Sequence, residues 1–279
     1  MSQVLVSDFS FTFLGTGTSA GVPIIACDCS VCTSDNPKNN RLRCSACVKY
    51  KDSGGQDRVV LIDTSPDLRQ QVLREGITRC DAILFTHNHV DHTFGLDEVR
   101  RFNMVMDHPI DIYAERNTLN HLSCVFKHVF DSKNNVNNSF VAELIPNEIH
   151  PGQPINLFGV LFTPIRLMHG RLPIVGFRID IPDCTQPLTS TLPLAYCTDV
   201  SSIPPESWPY LESVQNLALD MLRFRHHPTH LNCDQATEVA IRTNAKNTWF
   251  IHMTHDVEHE KLSLELPIGI QLAYDGLSL

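Results

Sequence analysis

The segment from Thr86 to His92 reads Thr-His-Asn-His-Val-Asp-His and places four side chains that can bind metal within six residues. His87 and His89 are two positions apart, so in an extended chain both imidazoles point the same way and can chelate one ion. Asp91 and His92 follow in the turn and can bind a second ion alongside. Imidazole and carboxylate groups without a thiolate suit Zn²⁺, Mn²⁺ or Fe²⁺. The segment therefore predicts a divalent-metal site.

Further metal-capable residues lie at the ends of apolar segments. Asp63, Asp199 and His252 each end or directly follow such a segment, and His169 lies between two of them. Side chains at strand ends are held by a rigid sheet and still reach solvent, which suits a functional site. We therefore expect these residues to join the histidine-rich segment.

The elements that must position these residues are short strands interspersed with helices. Apolar runs and alternations predict strands at 9–14, 58–63, 82–86, 111–114, 160–165, 174–179, 194–198, 217–220 and 247–251. Helical spacing predicts helices at 66–75, at about 118–130 and at 233–243, and an Asn-rich stretch at 134–138 predicts a loop. No repeat or long linker interrupts the 279 residues, so we expect one α/β domain spanning 1–279.

The histidine motif resembles the signature of the metallo-β-lactamase superfamily. The resemblance implies an αβ/βα sandwich, in which two mixed sheets are flanked by helices and a two-metal site lies at one edge. It also implies the ligands of both ions. The first ion would be held by His87, His89, His169 and Asp199, and the second by Asp91, His92, Asp199 and His252. Asp63 would orient a ligand and would not bind metal itself.

Such a site favours hydrolysis. Two divalent ions about 3.5–4 Å apart share a hydroxide, lower its pKa toward neutrality and neutralise charge on a phosphoryl or carbonyl oxygen. The hydroxide is then the nucleophile, so no serine or cysteine nucleophile is required.

Three cysteines form a second cluster, Cys27, Cys29 and Cys32. Closely spaced cysteines in a reducing compartment bind metal more often than they form disulfides. A structural zinc needs four ligands, and the fourth could be Cys44, Cys47 or a distant residue. The scattered cysteines are explained as buried apolar thiols: Cys80, Cys124, Cys184, Cys197 and Cys233.

The turn Gly-Thr-Gly-Thr-Ser-Ala-Gly-Val-Pro at 15–23, followed by Cys-x-Cys-x-x-Cys, resembles the PhnP-like phosphodiesterases of the same superfamily. This resemblance runs from residue 11 to about residue 276. It implies that His255 completes a structural zinc site, in an N-terminal zinc-binding loop at about 27–47, and a cysteine-only site remains the alternative. Since His255 lies three residues after His252, losing the zinc should also loosen the second active-site metal.

The segment 226–234, just before the predicted helix, contains His226, His227 and His230. The resemblance places His230 beside the metals, where it would help to protonate the leaving oxygen, and imidazole suits this because it titrates near neutral pH. His230 and Asp91 are therefore the candidate catalytic residues. Arg171 follows His169 closely and either contacts a substrate phosphate or is a surface arginine.

Composition narrows the class of ligand. With 42% hydrophobic and 19% charged residues the chain is an ordinary globular protein, and its net charge of −9 argues against extended nucleic-acid binding. A pocket for one small phosphodiester stays compatible with that charge. We expect a cytoplasmic protein without membrane association, because no signal peptide and no run of about 18 apolar residues occurs. The resemblance makes a homodimer plausible.

The PhnP-like resemblance implies a phosphodiesterase that opens a small cyclic phosphodiester, such as phosphoribosyl 1,2-cyclic phosphate, through a metal-bridging hydroxide. Two active-site ions, Mn²⁺ or Zn²⁺, and one structural Zn²⁺ would be required. RNA 3′-end processing of the tRNase Z type is an alternative, but it needs a basic docking surface or arm. A non-catalytic metal-binding or carrier protein, like the PqqB-type relatives, is opposed by the complete set of ligands.

Overall fold

Two β-sheets pack against each other through apolar faces, and helices cover their outer faces. The structure is a computed structural model that describes residues 6–131, 140–182 and 190–279. The predicted loop at 134–138 and Cys184 lie outside the described residues. The predicted αβ/βα sandwich of two mixed sheets is confirmed.

The first sheet has the order β1-β2-β3-β4-β5-β6. Its strands are β1 Ser7–Gly15, β2 Ser45–Lys51, β3 Asp57–Ile62, β4 Ala82–Leu84, β5 Ile110–Ala114 and β6 Leu144–Glu148. Strands β1 to β3 pair antiparallel and β3 to β6 pair parallel. The parallel part brings the carboxyl ends of β3 and β4 side by side, which places the segments after them together.

The second sheet has the order β13-β12-β11-β10-β9-β8-β7. Its strands are β7 Ile155–Leu157, β8 Val160–His169, β9 Leu172–Asp180, β10 Leu194–Cys197, β11 Asn216–Asp220, β12 Asn247–Ile251 and β13 Ile270–Leu272. Strands β7 to β10 pair antiparallel and β10 to β13 pair parallel. Here too the carboxyl ends of neighbouring parallel strands share one edge.

Successive side chains of a strand point to opposite faces of its sheet and so pack into different layers of the sandwich. On β12, Ile251 packs between the sheets and Phe250 packs outward beneath the helices, as the two-residue period of a strand requires. The helices are α1 Leu68–Arg74, α2 Val90–Thr93, α3 Arg100–Met106, α4 Arg116–Val125, α5 Lys127–Phe130, α6 Cys233–Thr243 and α7 His259–Glu265. Within the described ranges, none of these helices is long and apolar enough to cross a lipid bilayer.

Two predicted boundaries were wrong. Strand β2, absent from the prediction, begins at Ser45 between β1 and β3, so the loop predicted to bind zinc ends at Cys44 and not at about residue 47. The predicted helix at 118–130 is two helices, because Phe126 leaves the helical backbone region with φ −101° and ψ 44°. The Phe126 side chain is buried in the outer core.

Candidate active site

The predicted site residues meet at one edge of the two sheets. Asp63 and His252 directly follow β3 and β12, Asp199 is the second residue after β10, and all three have positive φ, at 62°, 58° and 62°. A non-glycine residue in this region is uncommon, and such residues concentrate at functional sites. The turn after each strand is therefore shaped to aim its side chain into the site.

Three histidines form one side of the site. The ring centre of His87 lies 4.6 Å from that of His89 and 5.7 Å from that of His169, and the His89 and His169 rings are 5.0 Å apart. Burial lowers the pKa of all three imidazoles, so each ring is neutral and has a lone pair available for a metal. The three rings thus lie together on one side of the site.

Asp199 lies between this group and a second one. Its Oδ2 atom is 3.1 Å from Nε2 of His92, and its Oδ1 atom is 3.3 Å from Nε2 of His252 and 4.0 Å from Nε2 of His87. Asp91 joins the second group, because its Oδ2 atom is 3.4 Å from Nε2 of His92. The four ligand atoms of Asp91, His92, Asp199 and His252 all lie within 4.8 Å of one another.

The orientation of the rings fits metal ions. In His87 and His92, Nδ1 faces an oxygen of Thr86 or Asp63 at 3.0 and 2.7 Å, which leaves Nε2 for the centre of the site. Among the described residues, the buried Nε2 atoms of His87, His92 and His252 make no hydrogen bond. Buried polar atoms are normally satisfied, so three unpartnered nitrogens around Asp199 indicate a place for cations.

The electrostatics of the second group agree with a cation. Although burial opposes both shifts, the carboxylates led by Asp199 hold the pKa of His92 well above its usual range and raise the pKa of His252 to about 9. In turn the imidazoles of His252 and His92 hold the pKa of Asp199 well below its usual range, against the effect of burial. In the absence of metal, the clustered carboxylates thus favour protonated imidazoles at His92 and His252, where a divalent ion would supply the positive charge.

Asp63 lies beneath His92, fully buried. Its Oδ2 atom accepts hydrogen bonds from Nδ1 of His92 at 2.7 Å and from Oγ1 of Thr86 at 2.8 Å, and its Oδ1 atom accepts one from the Thr86 backbone at 2.8 Å. Both carboxylate oxygens thus accept hydrogen bonds from Thr86 or His92. The geometry is that of a residue that orients a ligand.

Sequence analysis did not single out Asp220, which ends β11. Its Oδ1 atom lies 3.1 Å from Nδ1 of His230 and 3.4 Å from Nδ1 of His252, and its Oδ2 atom accepts from the Leu231 backbone at 3.0 Å. Asp220 is fully buried. The signal that could have found it is the one that marked Asp63, an acidic residue at the end of an apolar strand.

His230 lies in the site and Arg171 at its margin. The His230 ring centre is 4.7 Å from that of His169 and 4.8 Å from that of His252. His227 lies behind it at 5.2 Å, with Nδ1 bound to Oγ1 of Thr229. Arg171 is exposed in the turn after His169, and no hydrogen bond or ion pair joins it to another described residue.

The cysteine cluster closes around His255. Its Nδ1 atom lies 3.2 Å from Sγ of Cys27 and 3.5 Å from those of Cys29 and Cys32, which makes four ligand atoms for one ion. The Cys32 backbone N–H donates to the Cys29 sulfur and, as the largest effect, lowers the pKa of that thiol to about 6. A thiolate is the form that binds zinc.

Cys44 and Cys47 are not part of this cluster. Cys44 is buried just before β2 and Cys47 within it, and burial raises the pKa of Cys47 to about 12. Among the cysteines that the structure describes, none is therefore a fourth thiol for a cysteine-only site. Cys80 and Cys197 are likewise buried apolar thiols, whereas Cys233 is half-buried and Cys124 is exposed on α4, against the prediction.

The sequence from residue 58 to residue 253, which includes every active-site residue described above, matches the beta-lactamase superfamily domain. The crystal structure of a diphosphatase from the PhnP family is 41% identical, has a TM-score of 0.84 and covers 97% of each chain. The chain belongs to the metallo-β-lactamase superfamily and to its PhnP family. The membership predicted from the motifs is thus confirmed. These matches support a metal-dependent hydrolase, and the superfamily fold implies divalent ions such as Zn²⁺, which the unpartnered nitrogens fit.

Two other proteins are similar to this chain over nearly its whole length. Zn²⁺-bound PqqB from Methylobacterium extorquens is 20% identical, with a TM-score of 0.74 over 97% of this chain and 99% of that one, which shows the fold alone. An octanoyltransferase from Porphyromonas gingivalis is 35% identical over 266 residues, 95% of this chain and 50% of that protein. The chain spans half or less of the length of the curated relatives it matches.

Proposed function

We propose that the chain is a metal-dependent phosphodiesterase that hydrolyses a small cyclic phosphodiester, such as phosphoribosyl 1,2-cyclic phosphate. The observation that carries the proposal is the position of Asp199, whose two carboxylate oxygens face imidazole nitrogens of two different histidine groups. One carboxylate shared between two groups of imidazoles, each with at least one Nε2 atom that makes no hydrogen bond, suits a pair of cations.

The proposed ligands divide into three sets. His87, His89, His169 and Asp199 would hold one active-site ion, Asp91, His92, Asp199 and His252 a second, and Cys27, Cys29, Cys32 and His255 a structural Zn²⁺. Nitrogen and oxygen ligands accept either Mn²⁺ or Zn²⁺ in the first two sites. When bound, a pair of divalent ions supplies a nucleophile from water at neutral pH and neutralises charge on the phosphoryl oxygens.

The chain's own residues supply orientation and proton transfer. Asp220 accepts from Nδ1 of His230 and would stabilise that ring as an imidazolium, whose Nε2–H would pass its proton to the leaving oxygen and leave a neutral ring. Asp63 holds Nδ1 of His92 in the same way and thereby keeps its Nε2 directed at Asp199. Arg171, exposed beside the site, can donate two hydrogen bonds to a substrate phosphate.

Net charge favours a small substrate. The protein has a formal charge of −9, which repels polyanions, whereas divalent ions would make the active site locally positive. This combination favours a single small phosphodiester over RNA 3′-end processing of the tRNase Z type, which needs a basic surface along the substrate.

Two other functions are distinguishable. The PhnP-family diphosphatase, at 41% identity, favours a phosphoric anhydride as the second candidate substrate. A metal-binding or carrier protein without turnover would need a site that lacks a proton donor, and the Asp220–His230 pair argues against it. All three functions would use the same metal ligands, so the substrate has to be identified by assay.

The test combines metal analysis with substrate profiling of the metal-loaded protein. We expect about three metal ions per chain and turnover of bis(p-nitrophenyl) phosphate, with a panel of cyclic phosphodiesters turned over faster than ADP-ribose, a diphosphate ester. His87→Ala should abolish turnover without unfolding the chain, since His87 is a ligand and not a core residue. One ion per chain and no turnover of any ester would contradict the proposal, and preference for ADP-ribose would favour the diphosphatase.

A further inference from the structure

Arg41 is the largest fully buried side chain in the described part of the chain, at 1% exposure. It extends from the zinc-binding loop to the segment after β12. There its Nη1 atom donates to the carbonyl of Thr254 at 3.1 Å and its Nη2 atom donates to the carbonyl of Val257 at 2.8 Å. These two carbonyls lie on either side of His255 along the chain. One guanidinium therefore spans the turn that carries the proposed zinc ligand.

Asn39 fixes the other side of the guanidinium. Its Oδ1 atom accepts from Nη2 of Arg41 at 3.3 Å and from the backbone N–H of His259 at 2.9 Å, while its Nδ2 atom donates to Glu258 at 3.0 Å. Asn39 is 1% exposed. The segment 254–259 is thus attached to the zinc-binding loop by side chains alone, without any zinc–ligand bond.

The backbone of Arg41 is held as closely as its side chain. Its N–H and C=O exchange hydrogen bonds with Val22 at 2.7 and 2.8 Å. Gly17 packs so tightly there that a Cβ atom at this position would lie 2.6 Å from the Arg41 carbonyl oxygen. Arg41 therefore has little freedom to move away from the segment it binds.

The charge of Arg41 also complements a zinc–thiolate centre. Three thiolates, one neutral imidazole and Zn²⁺ would carry a net charge of −1, and a nearby cation stabilises such a charge. Burial lowers the pKa of Arg41 to about 10 against the opposing fields of Asp275, Glu258 and Cys32, so it stays protonated at neutral pH. The guanidinium is thus a fixed cation close to the cluster.

We propose that Arg41 is a positioning residue for both metal centres. By bridging the carbonyls around His255 it holds that imidazole toward the three cysteines, and through the same short segment it holds His252 toward Asp199. The inference rests on the proposed structural zinc. It states that Arg41, which is not a ligand, helps to fix the geometry of the zinc ligands.

The test measures the metal affinity of the cysteine cluster in the full-length protein. Co²⁺ is titrated into metal-free wild type and Arg41→Lys, followed by the cobalt–thiolate absorption band, and Zn²⁺ affinity is obtained by competition with a chelator. Lysine keeps the charge but cannot reach both carbonyls, so we expect Zn²⁺ affinity to fall about tenfold. Arg41→Gln, which removes the charge as well, should lower the Zn²⁺ affinity further.

Arg178→Lys is the matched control, because Arg178 also donates to two backbone carbonyls, those of Tyr210 and Glu212, on the far part of β9. This variant should lower thermal stability without changing Zn²⁺ affinity. Wild-type Zn²⁺ affinity in folded Arg41→Lys would overturn the inference, whatever happens to Arg41→Gln. A wild-type cluster that binds neither Co²⁺ nor Zn²⁺ would instead overturn the proposed zinc site itself, and the inference with it.

Discussion

The Oδ1 atom of Asp220 lies 3.1 Å from Nδ1 of His230. The same oxygen is 3.4 Å from Nδ1 of His252, and Asp220 is fully buried at the end of β11. One carboxylate thus hydrogen-bonds a ring proposed to transfer a proton and lies within ion-pair distance of a ring proposed to bind metal. This arrangement links the proposed proton transfer by His230 to the proposed metal binding by His252.

Asp220→Asn should reduce kcat about 100-fold, because an amide is a weaker acceptor and lets the His230 ring adopt the wrong orientation or tautomer. Steady-state kinetics with bis(p-nitrophenyl) phosphate measures the loss. The double variant with His230→Gln should lose little more than either single variant, since the two residues act as a unit. Fully additive losses would contradict this coupling. Asp180→Asn, at the end of β9 and ion-paired with Arg178, is the control.

Asp63→Asn should weaken binding of one active-site ion by about 10- to 100-fold, the usual effect of removing the group that orients a ligand histidine. The reason is that Nδ1 of His92 loses its 2.7 Å carboxylate partner. Metal content after dialysis against a graded chelator series measures it. Asp111→Asn on β5, which replaces a carboxylate that accepts a hydrogen bond from Asn147 on β6, should leave the metal content unchanged. Retention of both ions at wild-type affinity would argue against an orienting role.

Cys29→Ala should remove the structural ion and lower the thermal midpoint, because zinc binding stabilises the folded loop. It should also lower occupancy of the second active-site ion, since His255 and His252 share one segment of the chain. Elemental analysis and thermal melts check both expectations. Cys124→Ala, at an exposed cysteine on α4, serves as the control. Full metal content and full activity in Cys29→Ala would rule out this link.

The lowered pKa of His259 predicts that the free energy of unfolding depends on pH. Burial, aided by the charges of Arg41 and Lys38, lowers its pKa to about 4 in the folded protein. The unfolded chain therefore binds a proton at His259 more readily than the folded chain does. The contribution of the neutral His259 ring to the free energy of unfolding is complete above about pH 6.5 and is lost as the pH falls toward 4. The loss amounts to about 3 kcal/mol at most. Denaturant unfolding of wild type and His259→Gln across this range should give a difference that shrinks with falling pH, and a constant difference would contradict the assignment.

The fold class was predictable because apolar periodicity is a local property. Strands β10 to β12 and helix α6 were recognised from runs of a few residues, and α6 begins and ends where the spacing indicated. Strand β2 was not recognised, although it pairs with both neighbours, because its interspersed cysteine and lysine residues obscure the pattern.

The sequence by itself determined which side chains can bind metal and how they are spaced along the chain. His87 to His92 and Cys27 to Cys32 are contiguous, so their ligand spacing could be read without coordinates. The resemblance predicted that Asp63 orients a ligand, but only the tertiary structure decided that its partner is His92 and that Asp220 and Arg41 lie at the two sites. Asp63 is 29 positions from His92, and the Arg41 guanidinium meets a carbonyl 213 positions away. Such partners are selected by how the two sheets and their loops pack, and that packing depends on burial across the whole chain and not on local spacing.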